Sequence, residues 1–266
     1  MKGQLIVVEG LGGSGKTTVL DRMEAQLQQA NVPYVRTREP GGTFAAEYLR
    51  KLCREGIPGN PGKLDPTTVA LLFNAARAEN IKDVIRPALQ EGKVVLCDRF
   101  CDSTFAFQHD AGLKKLLDLH HAVHGDFFPD ITFLLDGDPA IFQKRISPEE
   151  MARDQFDSMA MEKLNVARWN YVNLTKFRIH DGRYVLVNAE VNPDQVYAQI
   201  MPELMKVIDK MKQRPVPEVV PTVDSLLERH QKTLGNLVVS DTPTQRVSSR
   251  EFATATAPYP TPAEDA

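Results

Sequence analysis

Residues 10–19, GLGGSGKTTV, decide the fold of this chain. They contain the pattern G-x-x-x-x-G-K-[ST], in which glycines let the backbone wrap tightly so that its N–H groups converge on a phosphate chain. The apolar run at 5–8 is typical of a buried parallel strand, and residues 17–30 carry apolar side chains at helical spacing. A strand before the loop and a helix after it argue against a chance glycine-rich turn. The stretch therefore predicts a site for the phosphates of a nucleoside triphosphate at a helix N-terminus.

Two side chains of this phosphate loop have expected chemical tasks. Lys16 places a positive charge near the β- and γ-phosphates, and the Thr17 hydroxyl can ligate Mg²⁺. The nucleotide-binding residues that we predict from the pattern are Gly10, Gly12, Gly13, Ser14, Gly15, Lys16, Thr17 and Thr18.

Composition narrows the class of protein. The net charge of −3 over 266 residues gives no support for binding a nucleic-acid polymer. The three cysteines suit free thiols in a reducing cytoplasm better than a disulfide framework. No apolar run approaches the roughly 18 residues that a membrane span needs. We therefore expect a cytoplasmic enzyme with neither membrane nor nucleic-acid partners.

Strand and helix patterns alternate along the first four fifths or so of the chain. Apolar runs at 5–8, 33–36, 93–97, 131–135 and 184–187 are separated by helical patterns, which predicts an α/β fold with a parallel five-stranded sheet and helices on both faces. We place this domain at 1–212. The segment 213–266 is rich in proline and threonine, which predicts a mostly disordered tail with one possible short helix at 223–234.

Candidate ligand-binding side chains follow two of the predicted strands, where ligands bind in such sheets. Arg38 lies in the turn TREPGGT at 37–43, although a lone arginine is more often a surface charge. Asp98 and Arg99 end the strand at 93–97. The carboxylate could hold a Mg²⁺-bound water and the guanidinium could grip a phosphate, or the two could form a structural pair.

Phe73 and Arg77 lie four residues apart on a predicted helix and share a face. Phe73 could belong to the core while Arg77 is solvated. Alternatively, Phe73 stacks on a flat ring and Arg77 donates to the carbonyl edge of that ring. His120 and His124 also lie four apart, and we interpret them as a solvated helix face rather than a metal site.

In order along the chain, these motifs resemble the thymidylate kinase family. The resemblance rests on EGLGGSGKTT at 9–18, TREPGGT at 37–43, FNAAR at 73–77, DRFCDSTFAFQ at 98–108 and GDFFPDITFLLD at 125–136. It implies a homodimeric kinase that uses ATP and Mg²⁺ to phosphorylate a deoxynucleoside monophosphate, most simply dTMP to dTDP, in the supply of deoxynucleotides for DNA synthesis.

The resemblance also implies roles for individual residues. Arg38 and Arg99 would hold the acceptor phosphate, Phe73 would stack on the pyrimidine and Arg77 would bond its O4. Ser103 and Gln108 would line the base and sugar pocket. Phe107 stands where the family usually has Tyr, and its ring would crowd the 2′ position and so favour deoxyribose. Thr17 and Asp98 would hold the metal, and helices near 42–56 and 66–90 would join the two subunits.

Two departures from the family pattern concern catalysis. Gly12 stands where many relatives carry an acidic residue that contacts the sugar 3′-hydroxyl and organises the arginines. Relatives without a phosphate-loop arginine supply one to the transferred phosphoryl group from a mobile lid, which is expected here at 144–158. This lid reads DQFD at 154–157, where a D-R-[FI]-E element is common in the family. We choose Arg153 for this role, with Arg145 second, and therefore predict Lys16, Arg99 and Arg153 as the catalytic residues.

Two alternatives to dTMP phosphorylation stay open at this point. The acceptor could be dUMP or a 5-substituted dUMP, because Phe73 and Arg77 would read any uracil-type ring. The chain could also be a weakly catalytic, kinase-like nucleotide-binding or regulatory protein, an alternative suggested by Gly12 and by Gln155 in the lid.

Overall fold

A parallel sheet organises the chain. The structure is a computed structural model, and it describes residues 3–55, 64–153, 159–177 and 182–213. Within these ranges the sheet has five strands, all parallel, in the order β2–β3–β1–β4–β5. They are β1 Gln4–Gly10, β2 Tyr34–Arg38, β3 Val94–Asp98, β4 Ile131–Asp136 and β5 Arg183–Asn188. The predicted α/β fold with five parallel strands is confirmed.

The central strand β1 positions the phosphate loop. All seven residues of β1 are buried, and β3 and β4 pair with its two edges. Its side chains alternate between two apolar cores, with Ile6 and Val8 in one and Leu5 and Val7 in the other. Because both faces of the strand are apolar, helices must cover both faces of the sheet. The loop therefore emerges from the middle of the fold.

Helices connect the strands and cover the sheet. Their bounds are α1 Lys16–Gln29, α2 Phe44–Glu55, α3 Pro66–Asn80, α4 Arg86–Gln90, α5 Cys101–Phe107, α6 Leu113–His124, α7 Pro139–Gln143, α8 Pro148–Arg153, α9 Met161–Phe177 and α10 Pro193–Lys212. Helix α1 packs against α10, and α5 packs against α9. None of the described helices is long and apolar enough to cross a membrane.

The helical pattern predicted over 66–90 is interrupted. Residues Ile81–Ile85 form a π-helical segment between α3 and α4, and the N–H of Arg86 donates to the carbonyl of Ile81, five residues back. Pro87 has no N–H to donate to the preceding turn, so the regular ladder cannot continue through it. The proline is the physical reason for the wider turn.

The prediction of a solvated face at His120 and His124 is wrong. Both side chains are buried where α6 packs against α3. The ring of His120 stacks on Phe128 with centroids 4.4 Å apart, and its Nε2 lies 3.0 Å from the carbonyl oxygen of Phe127. The Nε2 of His124 lies 3.1 Å from Oδ1 of Asn74. A neutral imidazole with a hydrogen-bond partner can be buried at little cost, which the spacing alone does not reveal.

Part of the predicted organisation lies outside the described residues. This applies to the tail from 214 onward, with its possible helix at 223–234, and to lid residues 154–158. The description of the kinase-like region ends at Gln213, directly after α10.

Candidate active site

The phosphate loop joins β1 to α1 in a tight wrap. Gly13 has a φ of 72°, and a Cβ at this position would overlap the carbonyl oxygen of Phe142. Gly15, with a φ of 93°, precedes α1, and no side chain among the described residues caps this helix. The buried Nζ of Lys16 donates to the carbonyls of Gly10 and Leu11 over 3.2 and 2.8 Å. A helix N-terminus without a side-chain cap, next to a held ammonium group, is suited to an anion.

A cleft of about 1040 Å³ opens beyond the carboxyl ends of the strands. This volume is at the upper end of the range found for small-molecule sites, so the cleft has room for one large ligand or for two ligands. The predicted site residues that line it are Gly12, Gly13, Ser14, Gly15, Lys16, Thr17, Thr18, Arg38, Phe73, Asp98, Arg99, Ser103 and Phe107. The cleft wall also includes Arg145, the second candidate for the lid arginine, and three arginines that the motifs did not single out, Arg22, Arg50 and Arg54. This positive lining favours a polyanionic ligand.

Arg38 projects from the end of β2 into this cleft. Its Nε and Nη2 donate to the two carboxylate oxygens of Glu47 over 3.1 and 2.8 Å. Glu47 also accepts from the backbone N–H of Gly42 over 3.1 Å. The carboxylate thus ties the guanidinium to the turn at 40–42, and Arg50 donates to the carbonyl of Pro40 in the same turn. Half of the Arg38 side chain stays exposed, so a ligand phosphate can reach it.

Arg99 follows β3 in a left-handed conformation, with a φ of 67°. Its Nη1 donates to the carbonyl of Gly10 over 2.9 Å, which links it directly to the start of the phosphate loop. The guanidinium lies 5.7 Å from the centroid of the Phe107 ring. A non-glycine residue with positive φ is strained and often occurs at functional sites. The backbone here directs the Arg99 side chain into the cleft.

Asp98 ends β3 beside the phosphate loop. Its Oδ1 is buried, and within the described part of the chain it has no hydrogen-bond partner. Thr17 is exposed in the first turn of α1 and lines the same cleft. A buried carboxylate oxygen is costly unless a donor or a cation meets it, and carboxylate and hydroxyl oxygens are ligands that Mg²⁺ prefers. This donor set fits a divalent cation.

Of the three residues Phe73, Arg77 and Gln108, which are predicted to contact the base or sugar, only Phe73 lines the cleft. Phe73 is 9% exposed and forms part of the cleft wall. Arg77 lies behind that wall, where its Nη2 donates to Thr104 over 3.0 Å and its Nε donates to Glu39. Gln108 is buried outside the lining, and no described residue bonds its Oε1. Contacts of Arg77 and Gln108 with a base remain predictions.

The two candidate lid arginines are described to different extents. Arg145 lines the cleft and donates to the carbonyls of Ala189 and Glu190 over 2.8 and 3.2 Å. It is therefore tied to the loop that follows β5. Arg153 is the last residue of α8, and its side chain lies outside the described part of the structure.

Comparisons with known proteins agree with the motifs and the fold. The family model described as thymidylate kinase matches residues 8–200. A protein named thymidylate kinase from Lactobacillus acidophilus is 37% identical over 215 residues, which covers 79% of this chain and 97% of the relative. The protein of that name from Chlorobium chlorochromatii is 38% identical over 212 residues, covering 75% of this chain and 93% of the relative.

Proposed function

This chain belongs to the thymidylate kinase family, and on that premise we propose that it transfers the γ-phosphoryl group of ATP to dTMP, giving dTDP and ADP. One observation carries the proposal: the phosphate loop and the arginines Arg38 and Arg99 line the same cleft. A donor and an acceptor phosphate can therefore meet there. The product dTDP is one phosphorylation away from the DNA precursor dTTP.

The donor phosphates belong at the loop. Backbone N–H groups at the start of α1 and the ammonium group of Lys16 bind the phosphate oxygens and fix the γ-phosphorus. Thr17 and Asp98 are the residues that would hold Mg²⁺, since Asp98 Oδ1 is buried without a described partner. When bound, Mg²⁺ neutralises charge on the phosphates of ATP.

The acceptor phosphate belongs at Arg38 and Arg99. An oxygen of the dTMP phosphate attacks the γ-phosphorus, the bond from that phosphorus to the β–γ bridging oxygen breaks, and ADP leaves. A phosphate oxygen is already a nucleophile, so this chain mainly aligns two anions and stabilises the charge on the transferred group. Phe73 on the cleft wall supports stacking of the pyrimidine, and Phe107 crowds the 2′ position and so favours deoxyribose.

The position of Arg145 makes it less suited than Arg153 to contact the transferred phosphoryl group. Because Arg145 is tied to the loop after β5, it is suited to contact the ATP base or sugar rather than the transferred group. Arg153 remains our choice for the cation that stabilises the transferred phosphoryl group, because α8 leads it into the lid segment.

We further propose that two copies of the chain associate through α2 and α3. These helices pack against each other and expose apolar side chains to solvent, with Phe44 at 92%, Tyr48 at 70% and Leu71 at 52%. Exposed apolar patches of this kind mark interaction surfaces. Light scattering should give a dimer for the wild type and a monomer for Phe44→Glu; a wild-type monomer contradicts the proposal.

The division at residue 212 is also a proposal. The relatives match along nearly their whole length, and they leave about a fifth of this chain unmatched. Removal of 214–266 should change kcat and KM by no more than a few-fold, and loss of activity would show that the tail is part of the fold. The reducing cytoplasm remains our proposed location, since three cysteines suit thiols better than a disulfide framework and Cys53, Cys97 and Cys101 are all buried.

A substrate panel tests the proposed activity. ADP formation is followed with dTMP, dUMP, dCMP, dGMP and UMP, each with ATP and Mg²⁺ and each repeated with excess EDTA. We expect dTMP to give the highest kcat/KM and EDTA to abolish turnover. Preference for dUMP would reassign the acceptor, and ATP binding without turnover of any acceptor would indicate a binding protein.

A further inference from the structure

Beneath Arg99 lies a hydrogen-bonded group that we call the Glu9 cluster, formed by Glu9, Ser103 and Tyr171. Glu9 is fully buried at the end of β1. Its Oε2 accepts from the hydroxyl of Ser103 over 2.7 Å and from the hydroxyl of Tyr171 over 3.0 Å. Tyr171 comes from α9, so the cluster ties three separate elements together.

The other carboxylate oxygen is used by the backbone. Oε1 of Glu9 accepts from the N–H groups of Phe100 and Ser103 over 2.7 and 3.1 Å. With one oxygen committed to backbone donors, the carboxylate is fixed in orientation. Its second oxygen must then face the two hydroxyls.

The hydroxyl groups of the Glu9 cluster accept hydrogen bonds from Arg99. Each hydroxyl has one proton and two lone pairs. The two hydroxyl oxygens lie 2.8 Å apart, so either hydroxyl can donate to the other instead of to Glu9, and in each arrangement both oxygens keep a lone pair for a further donor. Nη1 of Arg99 lies 3.3 Å from each of these hydroxyl oxygens. One of its two N–H groups donates to the carbonyl of Gly10, so the other is shared between the two hydroxyls. Burial raises the pKa of Glu9, while the charge of Arg99 and the donors around the carboxylate oppose that rise. As a carboxylate, Glu9 orients two neutral groups as acceptors for the positive charge of Arg99.

These contacts determine the plane of the guanidinium. Nη1 is held by the Gly10 carbonyl and by the two hydroxyls, and Phe107 lies against the group. A guanidinium is planar, so fixing one nitrogen and one face limits its rotation. A pre-oriented fork loses less entropy when it binds a phosphate.

We propose that Tyr171 and Glu9 are positioning residues that hold Arg99 in its phosphate-binding orientation through oriented hydroxyl groups. This inference rests on the proposed role of Arg99 in binding the acceptor phosphate. Residue 12 of the phosphate loop is glycine. The carboxylate that contacts the two hydroxyls is that of Glu9 on β1.

The principal variant is Tyr171→Phe. It removes the hydroxyl and keeps the ring, which packs edge-on against Phe107 with centroids 5.9 Å apart. A hydrogen bond that involves a charged group predicts a loss of about tenfold in kcat/KM for dTMP, while KM for ATP stays within about twofold. Tyr34→Phe is the matched control, because the Tyr34 hydroxyl also donates to a carboxylate, that of Glu24, outside the cleft lining.

A double-mutant cycle shows whether Tyr171 acts through Arg99. In the background of Arg99→Ala, Tyr171→Phe should cause no further loss, because the group that it positions is gone. If the two losses multiply, or if Tyr171→Phe alone matches the Tyr34→Phe control, the inference is overturned while the proposed function stands. If Arg99→Ala leaves kcat/KM for dTMP unchanged, the phosphate-binding role of Arg99 fails, and the inference fails with it.

Glu9→Gln provides an independent second variant. With its oxygen kept on the backbone N–H groups, the amide would present NH₂ to the two hydroxyls. The hydroxyls would then become acceptors from Gln; one of them can donate to the other, and the remaining proton would turn toward Nη1 of Arg99. We expect a comparable loss in kcat/KM for dTMP and again no further loss in the Arg99→Ala background. If folded Glu9→Gln has the wild-type kcat/KM for dTMP, the charge of Glu9 does not position Arg99.

Discussion

Arg77 and Glu39 form a buried ion pair. Nε of Arg77 donates to Oε2 of Glu39 over 2.6 Å, and each side chain is 3% exposed. Burial raises the pKa of Glu39 to about 7, against the opposing charge of Arg77. The pair links α3 to the turn after β2, and Glu39 lines the same cleft as Phe73. Arg77, which is predicted to bond the base, therefore also contributes to the fold.

Arg77→Ala is expected to affect both stability and acceptor use. Breaking a buried pair leaves Glu39 unpaired, which predicts a loss of roughly 3–5 kcal/mol in the free energy of unfolding. Use of dTMP should fall much more than ATP binding, because a site built to bond a polar edge discriminates strongly once its donor is missing. Urea unfolding and steady-state kinetics measure the two effects separately.

The double variant Arg77→Met with Glu39→Gln separates the two roles. It removes both charges, so most of the lost stability should return while dTMP use stays impaired. If dTMP kinetics recover together with stability, Arg77 is purely structural and the base-reading role is wrong.

The lid arginines should differ in kinetic signature. Arg153→Ala is expected to lower kcat strongly with little change in dTMP affinity, because an arginine that acts in the transition state can contribute about 10³-fold or more in rate. Arg145→Ala should instead raise KM for ATP, since this side chain is tied to the loop after β5. If steady-state kinetics instead show the kcat loss for Arg145→Ala and the raised KM for ATP for Arg153→Ala, Arg145 is the lid arginine and our assignment is wrong.

The buried histidines predict a pH dependence of stability. Burial, followed by the nearby charge of Arg77, lowers the pKa of His120 to about 3 and that of His124 to about 4, from 6.5. Between the folded pKa of each histidine and 6.5, the unfolded chain binds more protons than the folded chain. The histidines therefore contribute their full stabilisation above pH 6.5, and this stabilisation is lost as the pH falls toward 4. His124→Gln should therefore lose less stability than the wild type between pH 7 and pH 5 in urea unfolding.

A comparison of variants is needed because other groups act in the same window with the opposite sign. Burial raises the pKa of Asp102 to about 7, as it does for Glu39. His121→Gln is the control, because His121 is half-exposed on the same helix. If His124→Gln and His121→Gln follow the same curve as the wild type, His124 does not contribute to the pH dependence.

The sequence predicted the parts of the site that depend on local patterns. The phosphate loop and Asp98–Arg99 follow strands whose apolar runs are readable, and parallel strands bring their carboxyl ends to the same edge. Glu9 stands directly before the loop, yet no spacing rule distinguishes it from other residues of a buried strand. A position next to the glycine loop is the only local signal that could have marked it.

Residues fixed by tertiary packing could not be predicted in this way. Tyr171 reaches Glu9 across 162 positions of sequence. The burial of Arg77 and of His124 depends on partners in other elements, Glu39 and Asn74. Helical spacing shows which residues share a face, but not which element will cover that face.

Formation of dTDP by the wild type and by Lys16→Ala shows whether the phosphate loop carries out phosphoryl transfer to dTMP. With ATP, Mg²⁺ and dTMP, separation of the nucleotides should show dTDP and ADP in equal amounts for the wild type. Lys16→Ala should form almost none while keeping the wild-type unfolding transition, because it loses the charge that positions the transferred phosphate. Near-normal dTDP formation by Lys16→Ala, or no dTDP from the wild type, would contradict the account.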